Sequence, residues 1–277
     1  MAKPDPRPLD RIRHHYEVER ELAARLRAST KDGRTALFKT LYTELFDRVP
    51  DHPRLTRRAT PEDSRKAIAN QLRLISPFLS PEATLVEFAP GDCRLSRAAA
   101  ERCARVIGID ISDQRSPEDS PVENFDLIVY DGYHLDLPEE CADVAFSYQF
   151  LEHLHPDDVE PHFGMVHRLL KPGGVYVFDT PHRYSGPHDI SRYFGPGLDC
   201  FHFQEWTRNQ MRRLLREFDF GPVWVYRGGR LQRSPLVNAA DSFTEAVLGT
   251  FPRAMQKRLG GRLYQSVCLA ARKMKQP

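Results

Sequence analysis

The 277 residues are 40% hydrophobic and 28% charged, with a formal net charge of only +2. This composition is typical of a soluble globular chain, and the balanced charge argues against a broad nucleic-acid-binding face. Five scattered cysteines without a C-x-x-C pair predict neither a disulfide framework nor a zinc site. Because the sequence has no signal peptide and no run of 18 apolar residues, we expect a cytoplasmic protein that does not span a membrane.

The first 80 residues are predicted to be helical. Apolar residues recur there at helical spacing in three stretches, residues 9–28, 37–46 and 61–79. Asp32 and Thr35 are the expected N-caps of the second stretch, and residues 50–61 are predicted to be a loop. We expect residues 1–80 to form a helical cap that lies over the mouth of the next domain or contributes a homodimer contact.

Residues 81–277 are predicted to form an α/β domain. Seven short apolar runs bounded by turn residues are the expected strands: 84–88, 106–110, 127–130, 143–147, 175–179, 223–226 and 263–270. Helical patterns separate most of them, which favours a doubly wound sheet with helices on both faces. Residues 228–262 are predicted to be a helical insertion before the last strand, and this insertion, like the cap, is expected to be either a homodimer contact or a lid.

The segment 85–96, LVEFAPGDCRLS, opens this domain. An apolar strand meets a Pro-Gly turn and a helical pattern, and the next strand closes on Asp110. A glycine turn lets the backbone at Gly91 approach a ligand, and an acid about 20 residues further on can accept hydrogen bonds from ribose hydroxyls. Ala89 and Pro90 stand where a dinucleotide fingerprint has its first glycine, so the segment favours a nucleoside ligand without a pyrophosphate.

Three later strings carry a family resemblance. They are FDLIVYDG at 125–132, LPEECADVAFSYQFLEHLHP at 137–156 and LLKPGGVYVFDTP at 169–181. Together with the opening segment they resemble the small-molecule branch of the class I S-adenosylmethionine-dependent methyltransferases, over roughly residues 81–227. The resemblance implies a Rossmann-like seven-stranded sheet whose last strand runs antiparallel, with S-adenosylmethionine as cofactor and S-adenosylhomocysteine as product.

The resemblance also implies a set of cofactor-binding residues: Glu87, Ala89, Gly91, Asp110, Ile111, Asp131, Gly132, Ser147 and Tyr148. Asp110 would receive both ribose hydroxyls, and Asp131 with Gly132 would contact the adenine. Glu87 would lie near the methionine end, with a helix-capping carboxylate as the alternative. The ends of the strands at Ser147 and Tyr148 would supply backbone contacts to the cofactor's amino group.

Methyl transfer is a direct displacement, so it needs a well-positioned acceptor and, for oxygen and nitrogen acceptors, often a base. Glu152 and His153 follow strand four at the expected active-site face, and His182 follows strand five. We predict these three residues to be catalytic. For His155, a structural role at the start of the next helix is equally consistent with the sequence.

The segment 181–206 is predicted to bind the acceptor, because it is rich in aromatic, histidine and arginine residues. The alternative is a loop with a small aromatic core of its own. The predicted substrate-binding residues are Tyr148, Arg183, Tyr184, His188, Arg192 and Trp206.

The sequence leaves the acceptor open. The leading prediction is a small molecule in an aromatic-lined pocket. One sharper alternative is carbon methylation of an isoprenoid diphosphate, in which Glu152 would remove a proton while Arg183, Arg192 and Mg²⁺ held the diphosphate. The spacing of the histidines and acids between His153 and Asp189 fits no specific metal motif, so we assign no metal ligand.

Two other classes of function are alternatives to this prediction. A non-catalytic nucleoside-binding module would explain the missing glycine at Ala89, although the acids Asp110 and Asp131 argue against it. A nucleic-acid or protein methyltransferase is disfavoured, because the sequence lacks a basic stripe and the N/D-P-P-Y/F string of enzymes that methylate a flipped base.

Overall fold

The structure is a computed structural model, and it describes residues 5–56 and 60–275. The ends of the two predicted domains, residues 1–4 and 276–277, and part of the predicted loop, residues 57–59, lie outside the described residues. Within the described ranges the helices are α1 Leu9–Arg27, α2 Lys31–Phe38, α3 Leu41–Arg48, α4 Pro53–Thr56, α5 Pro61–Ile75, α6 Arg94–Ala100, α7 Val159–Leu169, α8 Arg208–Glu217, α9 Pro235–Gly249 and α10 Arg253–Leu263. The strands are β1 Thr84–Phe88, β2 Arg105–Asp110, β3 Phe125–Val129, β4 Ala142–Tyr148, β5 Leu170–Pro181, β6 Phe220–Arg227, β7 Arg230–Gln232 and β8 Ser266–Lys273.

The strands form one mixed sheet in the order β3-β2-β1-β4-β5-β8-β6-β7. Strands β1 to β5 are parallel to one another, and β8 is antiparallel to both β5 and β6. The strand order reverses at β1, because β2 and β3 lie on one side of β1 whereas β4 and β5 lie on the other. The predicted α/β class and the antiparallel last strand are therefore confirmed.

The sheet has eight strands among the described residues, whereas the sequence predicted seven. The additional strand β7 pairs with β6 through a two-residue turn at Gly228 and Gly229, whose φ angles are +55° and +71°. Two residues with positive φ are what a tight type I′ hairpin requires. The predicted insertion 228–262 thus starts with a hairpin strand and continues as two helices. The sequence did not predict this strand because three residues are too few to show a period of two.

The two faces of the sheet carry separate cores, as the alternation of side chains along a strand requires. Along β1, Val86 and Phe88 pack in the cluster that contains Phe163 of α7. Leu85 packs in the opposite cluster, which contains Leu95 of α6. Helices α7 and α8 therefore cover one face, and α5 and α6 cover the other.

The second predicted helix of the cap and the predicted loop after it both differ from the structure. The expected second helix is two helices, α2 and α3, and the first of them begins at Lys31. Thr30 is its N-cap, since its hydroxyl accepts a hydrogen bond from the backbone N–H of Gly33 at 3.3 Å. Asp32 and Thr35 lie inside the helix instead, so the prediction that they cap it was wrong. The predicted loop 50–61 also contains the short helix α4.

The cap and the segment 181–206 form a common layer. Phe201 of this segment is buried in the cluster formed by the apolar faces of α1 and α3. The guanidinium of Arg27 donates to the backbone carbonyls of Leu198, Asp199 and Cys200 at 2.6–3.2 Å. These contacts fix the segment against the cap, so neither is free to move without the other.

A buried ion pair attaches the cap to the sheet domain. Arg34 of α2 is only 2% exposed and donates to Asp158 at 3.0 Å and to the hydroxyl of Tyr133 at 2.8 Å. The Tyr133 hydroxyl in turn donates to Asp158 at 3.0 Å. Since Tyr133 and Asp158 follow β3 and β4, this triad holds the cap at the carboxyl edge of the sheet.

Candidate active site

A cavity of about 830 Å³ lies between the carboxyl edge of the sheet, the cap helices and the segment 181–206. Its size falls within the range of small-molecule sites, and the reversal of strand order at β1 is where open α/β sheets bind ligands. Predicted cofactor residues on its wall are Ala89, Gly91, Asp110, Ile111, Gly132 and Tyr148. Other predicted site residues on its wall are His153, His188 and Arg192.

The loop after β1 has an unusual backbone. Ala89, Gly91 and Cys93 adopt positive φ angles of +52°, +56° and +58°. This conformation is strained for the two residues that carry a Cβ. No atom lies within 4 Å of the position that a Cβ on Gly91 would take, so the backbone there is open to the cavity.

Asp110 holds this loop in place from the end of β2. Its carboxylate accepts hydrogen bonds from the backbone N–H groups of Gly91 and Ser112, each at 3.2 Å and each on a different oxygen. The side chain is buried, and burial raises its pKa. Every carboxylate oxygen has a second acceptor position, so Asp110 can still accept two vicinal hydroxyls from the cavity, as a ribose would offer.

The predicted adenine pair is only partly on the cavity wall. Gly132 lines the cavity with a φ of +94°, and Phe38 of the cap packs against it. The carboxylate of Asp131 instead accepts from the backbone N–H groups of Tyr133 and His134 at 2.8 and 2.7 Å, and from the His134 ring. The hydrogen bond from His134 holds the pKa of Asp131 well below its usual range, and we assign this carboxylate to the turn rather than to the wall.

Two predicted cofactor residues lie beneath the cavity wall. Glu87 is buried and accepts a hydrogen bond from the Ser96 hydroxyl of α6, and burial raises its pKa to about 7. Because Ser96 lies in the first turn of α6, this contact is consistent with the alternative role of Glu87 as a helix-capping carboxylate. The Ser147 hydroxyl is hydrogen-bonded to the Tyr176 hydroxyl at 2.7 Å. The Tyr176 hydroxyl also lies 3.0 Å from Nε2 of His162.

The end of β4 supplies an aromatic surface. Tyr148 is 40% exposed, lines the cavity and stacks on Phe146. Gln149, next in the chain, takes a φ of +52° and donates through its amide to Asp179 at 2.8 Å. The backbone at this strand end is therefore fixed, while the tyrosine ring faces the cavity.

A polar cluster lies between Glu152, His153 and His202. One ligand atom from each of these residues lies within 4.8 Å of the others. Burial raises the pKa of Glu152 to about 7 and lowers the pKa of His153 to about 3. Burial also opposes a charge on His202, but its hydrogen bond to Glu205 and the nearby Glu152 outweigh burial and raise its pKa.

The remaining predicted residues lie away from the cavity. His182 is fully buried and pairs with Glu245 of α9 at 2.6 Å, and Glu245 also accepts from two backbone N–H groups at the start of α8. Trp206 is buried in the sheet core beside α7 and α8. The predicted site residues that do not line the cavity are Glu87, Asp131, Ser147, Glu152, His182, Arg183, Tyr184 and Trp206.

Other residues on the wall were not assigned a role from the sequence. Phe38 and Tyr42 reach the cavity from the cap, His162 reaches it from α7, and His202 and Phe203 reach it from the segment 181–206. The segment 181–206 was predicted to bind the acceptor, although His202 and Phe203 were not named as its binding residues. Phe38 and Tyr42 lie at helical spacing that favours core packing, and chain segments more than 100 residues apart meet at this site.

The fold is an α/β domain with Rossmann-like topology and a cavity at the carboxyl edge of its sheet. A protein-family model described as a methyltransferase domain matches residues 86–178. A probable S-adenosylmethionine-dependent methyltransferase of Mycolicibacterium smegmatis is 32% identical over 90 residues, which are 31% of this chain and 31% of that protein. The matched segment of this chain is therefore similar to S-adenosylmethionine-dependent methyltransferases. The chain spans about a third of the length of this curated relative.

Solved structures share the fold. The 1,6-didemethyltoxoflavin-N1-methyltransferase of Burkholderia thailandensis superimposes with a TM-score of 0.52 at 20% identity, over 99% of this chain and 94% of that chain. Phosphoethanolamine N-methyltransferase 1 of Haemonchus contortus gives a TM-score of 0.57 at 14% identity, over 90% of this chain and 50% of that chain. At these identities the similarity concerns the fold.

Proposed function

We propose that this protein transfers the methyl group of S-adenosylmethionine to a small-molecule acceptor bound in the 830 Å³ cavity. The observation that carries the proposal is Asp110, a buried strand-end carboxylate beside a glycine turn that opens into the cavity. Such a carboxylate costs free energy to bury, and two ribose hydroxyls match the acceptor positions that the loop leaves free.

The cofactor half of the cavity lies along β1, β2 and β3. In the proposal Asp110 accepts from the ribose hydroxyls, the open backbone at Gly91 allows the methionine moiety to approach, and Ile111 and Gly132 border the adenine. When bound, S-adenosylmethionine supplies an electrophilic methyl group on a sulfonium. The chain's part is to hold the acceptor in line with that methyl group and to exclude water.

The acceptor half lies under the cap and the segment 181–206. Tyr148, His188 and Arg192 remain its proposed substrate-binding residues, since all three line the cavity. His153 lines the cavity, and a carboxylate oxygen of the buried Glu152 lies within 4.8 Å of a ring nitrogen of His153, so the two remain the proposed catalytic pair. His182 is no longer part of the proposal, because its ring is engaged with Glu245 inside the protein.

The roof of the cavity favours a small acceptor over a macromolecule. Helices α1 to α3 and the segment 181–206 supply much of the wall, whereas among the described residues α9 and α10 supply none. We therefore propose the cap, held by Arg34 and Asp158, as the lid that excludes water. The isoprenoid diphosphate alternative gains no support, since Arg183, one of its two anchors, lies outside the wall.

Helix α9 is proposed to serve a different purpose. Its surface exposes Leu236 and Phe243, at 82% and 72%, so the predicted homodimer contact is more consistent with this helix than with the cap. Light scattering of the purified protein would show whether it dimerises. In the described part of the chain, every helix is too short or too polar to span a membrane.

Calorimetric titration with S-adenosylmethionine and S-adenosylhomocysteine tests the proposal. Wild-type protein should bind both. Asp110→Asn keeps the size of the side chain but removes its charge and one acceptor, so it should weaken binding by about 2–4 kcal/mol, or roughly 30- to 1000-fold. Asp126→Ala is the matched control, because this exposed acid of β3 pairs only with Arg105 at the surface.

A well-folded wild type that binds neither compound would refute the proposed function. Equal affinity in the wild type and Asp110→Asn would refute the assignment of the ribose site. Binding without methylation of any acceptor, in a screen that detects S-adenosylhomocysteine release, would support the non-catalytic module instead.

A further inference from the structure

The cluster of Glu152, His153 and His202 brings together donor atoms that metal ions use. Glu152 and His153 lie in the short 3-10 turn after β4, and His202 lies in the segment 181–206. Both histidines line the cavity, and one ligand atom from each residue lies within 4.8 Å of the others. Two imidazoles and a carboxylate are a common ligand set for transition metals.

Hydrogen bonds fix the orientation of both histidine rings. Nδ1 of His153 lies 3.0 Å from the backbone carbonyl of Phe201, and Nδ1 of His202 lies 3.0 Å from Glu205. Since carbonyl and carboxylate oxygens only accept, Nδ1 carries the hydrogen in each ring. Nε2 of the neutral His153 ring therefore presents a lone pair, and Nε2 of His202 offers one once metal binding displaces its proton; no hydrogen-bond partner for either Nε2 is found among the described residues. This arrangement is the usual outer support of metal-binding histidines.

A hydrogen bond also fixes one carboxylate oxygen of Glu152. Its Oε2 accepts from the Thr180 hydroxyl at 2.8 Å, while Oε1 is buried without a hydrogen-bond partner in the described structure. The residue is 1% exposed. A buried carboxylate oxygen without a partner is destabilising, and a cation at this position would supply the missing partner.

We infer that Glu152, His153 and His202 form a binding site for a divalent transition-metal ion, with Zn²⁺ as the best match. Zn²⁺ accepts two imidazoles and one carboxylate and leaves a fourth position open. Mg²⁺ matches poorly, because it prefers oxygen ligands in a strict octahedron. Both histidines line the cavity, so, if the proposed function holds, an acceptor with a coordinating oxygen or nitrogen would take the open position, and with metal bound Glu152 and His153 would act as ligands rather than as free bases.

A second group of similar composition lacks a free imidazole lone pair on one of its histidines. His15, Glu19 and His52 also lie on the cavity wall. The guanidinium of Arg7 donates to Nδ1 of His15 at 2.9 Å, and Nε2 of the same ring faces Glu19 at 2.7 Å. Since Nδ1 of His15 accepts from Arg7, Nε2 carries the hydrogen of the neutral ring and offers no lone pair, although Nε2 and Glu19 lack hydrogen-bond geometry. His52 consequently provides a matched control, as a cavity histidine outside the inferred site.

The test is calorimetric titration of the full chain with Zn²⁺ alone, after removal of metal by chelator and dialysis. Wild type should bind one Zn²⁺ per chain, and Mg²⁺ more weakly. Glu152→Gln and His202→Gln each remove a ligand and should weaken Zn²⁺ binding at least about 100-fold. Glu205→Gln keeps the ligands but weakens the hydrogen bonds to His202 and to the backbone N–H of His188, and it should weaken Zn²⁺ binding about 10- to 100-fold. His52→Gln should bind as the wild type does.

Titration of the same proteins with S-adenosylhomocysteine, without metal, separates the two proposals. A variant that binds S-adenosylhomocysteine normally but has lost Zn²⁺ binding is folded, and it supports the metal site. Loss of Zn²⁺ binding in Glu152→Gln and His202→Gln supports the site even if the wild type binds no S-adenosylhomocysteine, an outcome that refutes only the proposed function. His153→Gln replaces any variant that fails to fold.

The inference is overturned if metal-free wild type takes up no Zn²⁺. It is also overturned if Zn²⁺ binds with equal affinity to the wild type, Glu152→Gln and His202→Gln, or if His52→Gln alone abolishes binding.

Discussion

Replacing Arg34 by methionine removes the buried cation that attaches α2 to the sheet domain. Asp158 would keep the Tyr133 hydroxyl as a donor but would lose its charged partner at 3.0 Å. Removing one member of a buried ion pair typically costs 3–5 kcal/mol, because the other charge stays buried. Arg34 also donates to the backbone carbonyl of Ser29 at 2.9 Å, so we expect the upper part of that range.

The chain offers an exposed ion pair for comparison. Arg25 and Glu44 lie 2.7 Å apart, with side chains that are 43% and 32% exposed. Pairs of this kind contribute about 0.2–1 kcal/mol. Arg25→Met should therefore lower the free energy of unfolding several times less than Arg34→Met does, although both substitutions remove one arginine from the cap.

Urea denaturation gives both free energies, and hydrogen exchange shows where the loss occurs. In Arg34→Met, amides of α1 to α3 should exchange faster, while amides of β1 and β4 keep their protection. A double-mutant cycle with Asp158→Leu isolates the pair itself, and the double variant should recover much of the loss. If Arg34→Met costs no more than Arg25→Met, the reasoning about the buried attachment is refuted.

Two further predictions concern the cofactor half. Burial raises the pKa of Glu87 from 4.5 to about 7, so the folded protein binds this proton more tightly than the unfolded chain, and the free energy of unfolding falls by up to about 3 kcal/mol as pH rises from 4.5 to above 7. Glu87→Gln should remove that slope in urea denaturation at several pH values, and an unchanged slope would contradict the assignment. Gly132→Ala places a Cβ 3.0 Å from Phe38 at a φ of +94°, so it should cost roughly 1–3 kcal/mol and weaken S-adenosylhomocysteine binding. Gly261→Ala in α10 is its control, with nothing within 4 Å, and an equal loss there would argue against a local effect at residue 132.

Sequence reasoning was most successful where one short segment determines its own structure. The strand-turn-helix unit around Gly91, and Asp110 at the end of the next strand, follow from apolar runs, a glycine and an acid at fixed spacing. It failed where the local pattern was weak: the three residues of β7 carry no readable alternation. Thr30, rather than Asp32, caps α2 because its hydroxyl lies beside the N–H of Gly33.

The sequence by itself determined most of the strands and helices and the position of Asp110 at the end of a strand, since these depend on neighbours within about 25 residues. Tertiary structure alone decided which histidines share a site. His182 pairs with Glu245, 63 residues away, whereas His202 meets His153 across 49 residues. No periodicity in the chain encodes such meetings. They result from the packing of the cap and the segment 181–206 over the sheet edge, where burial and free lone pairs are established together.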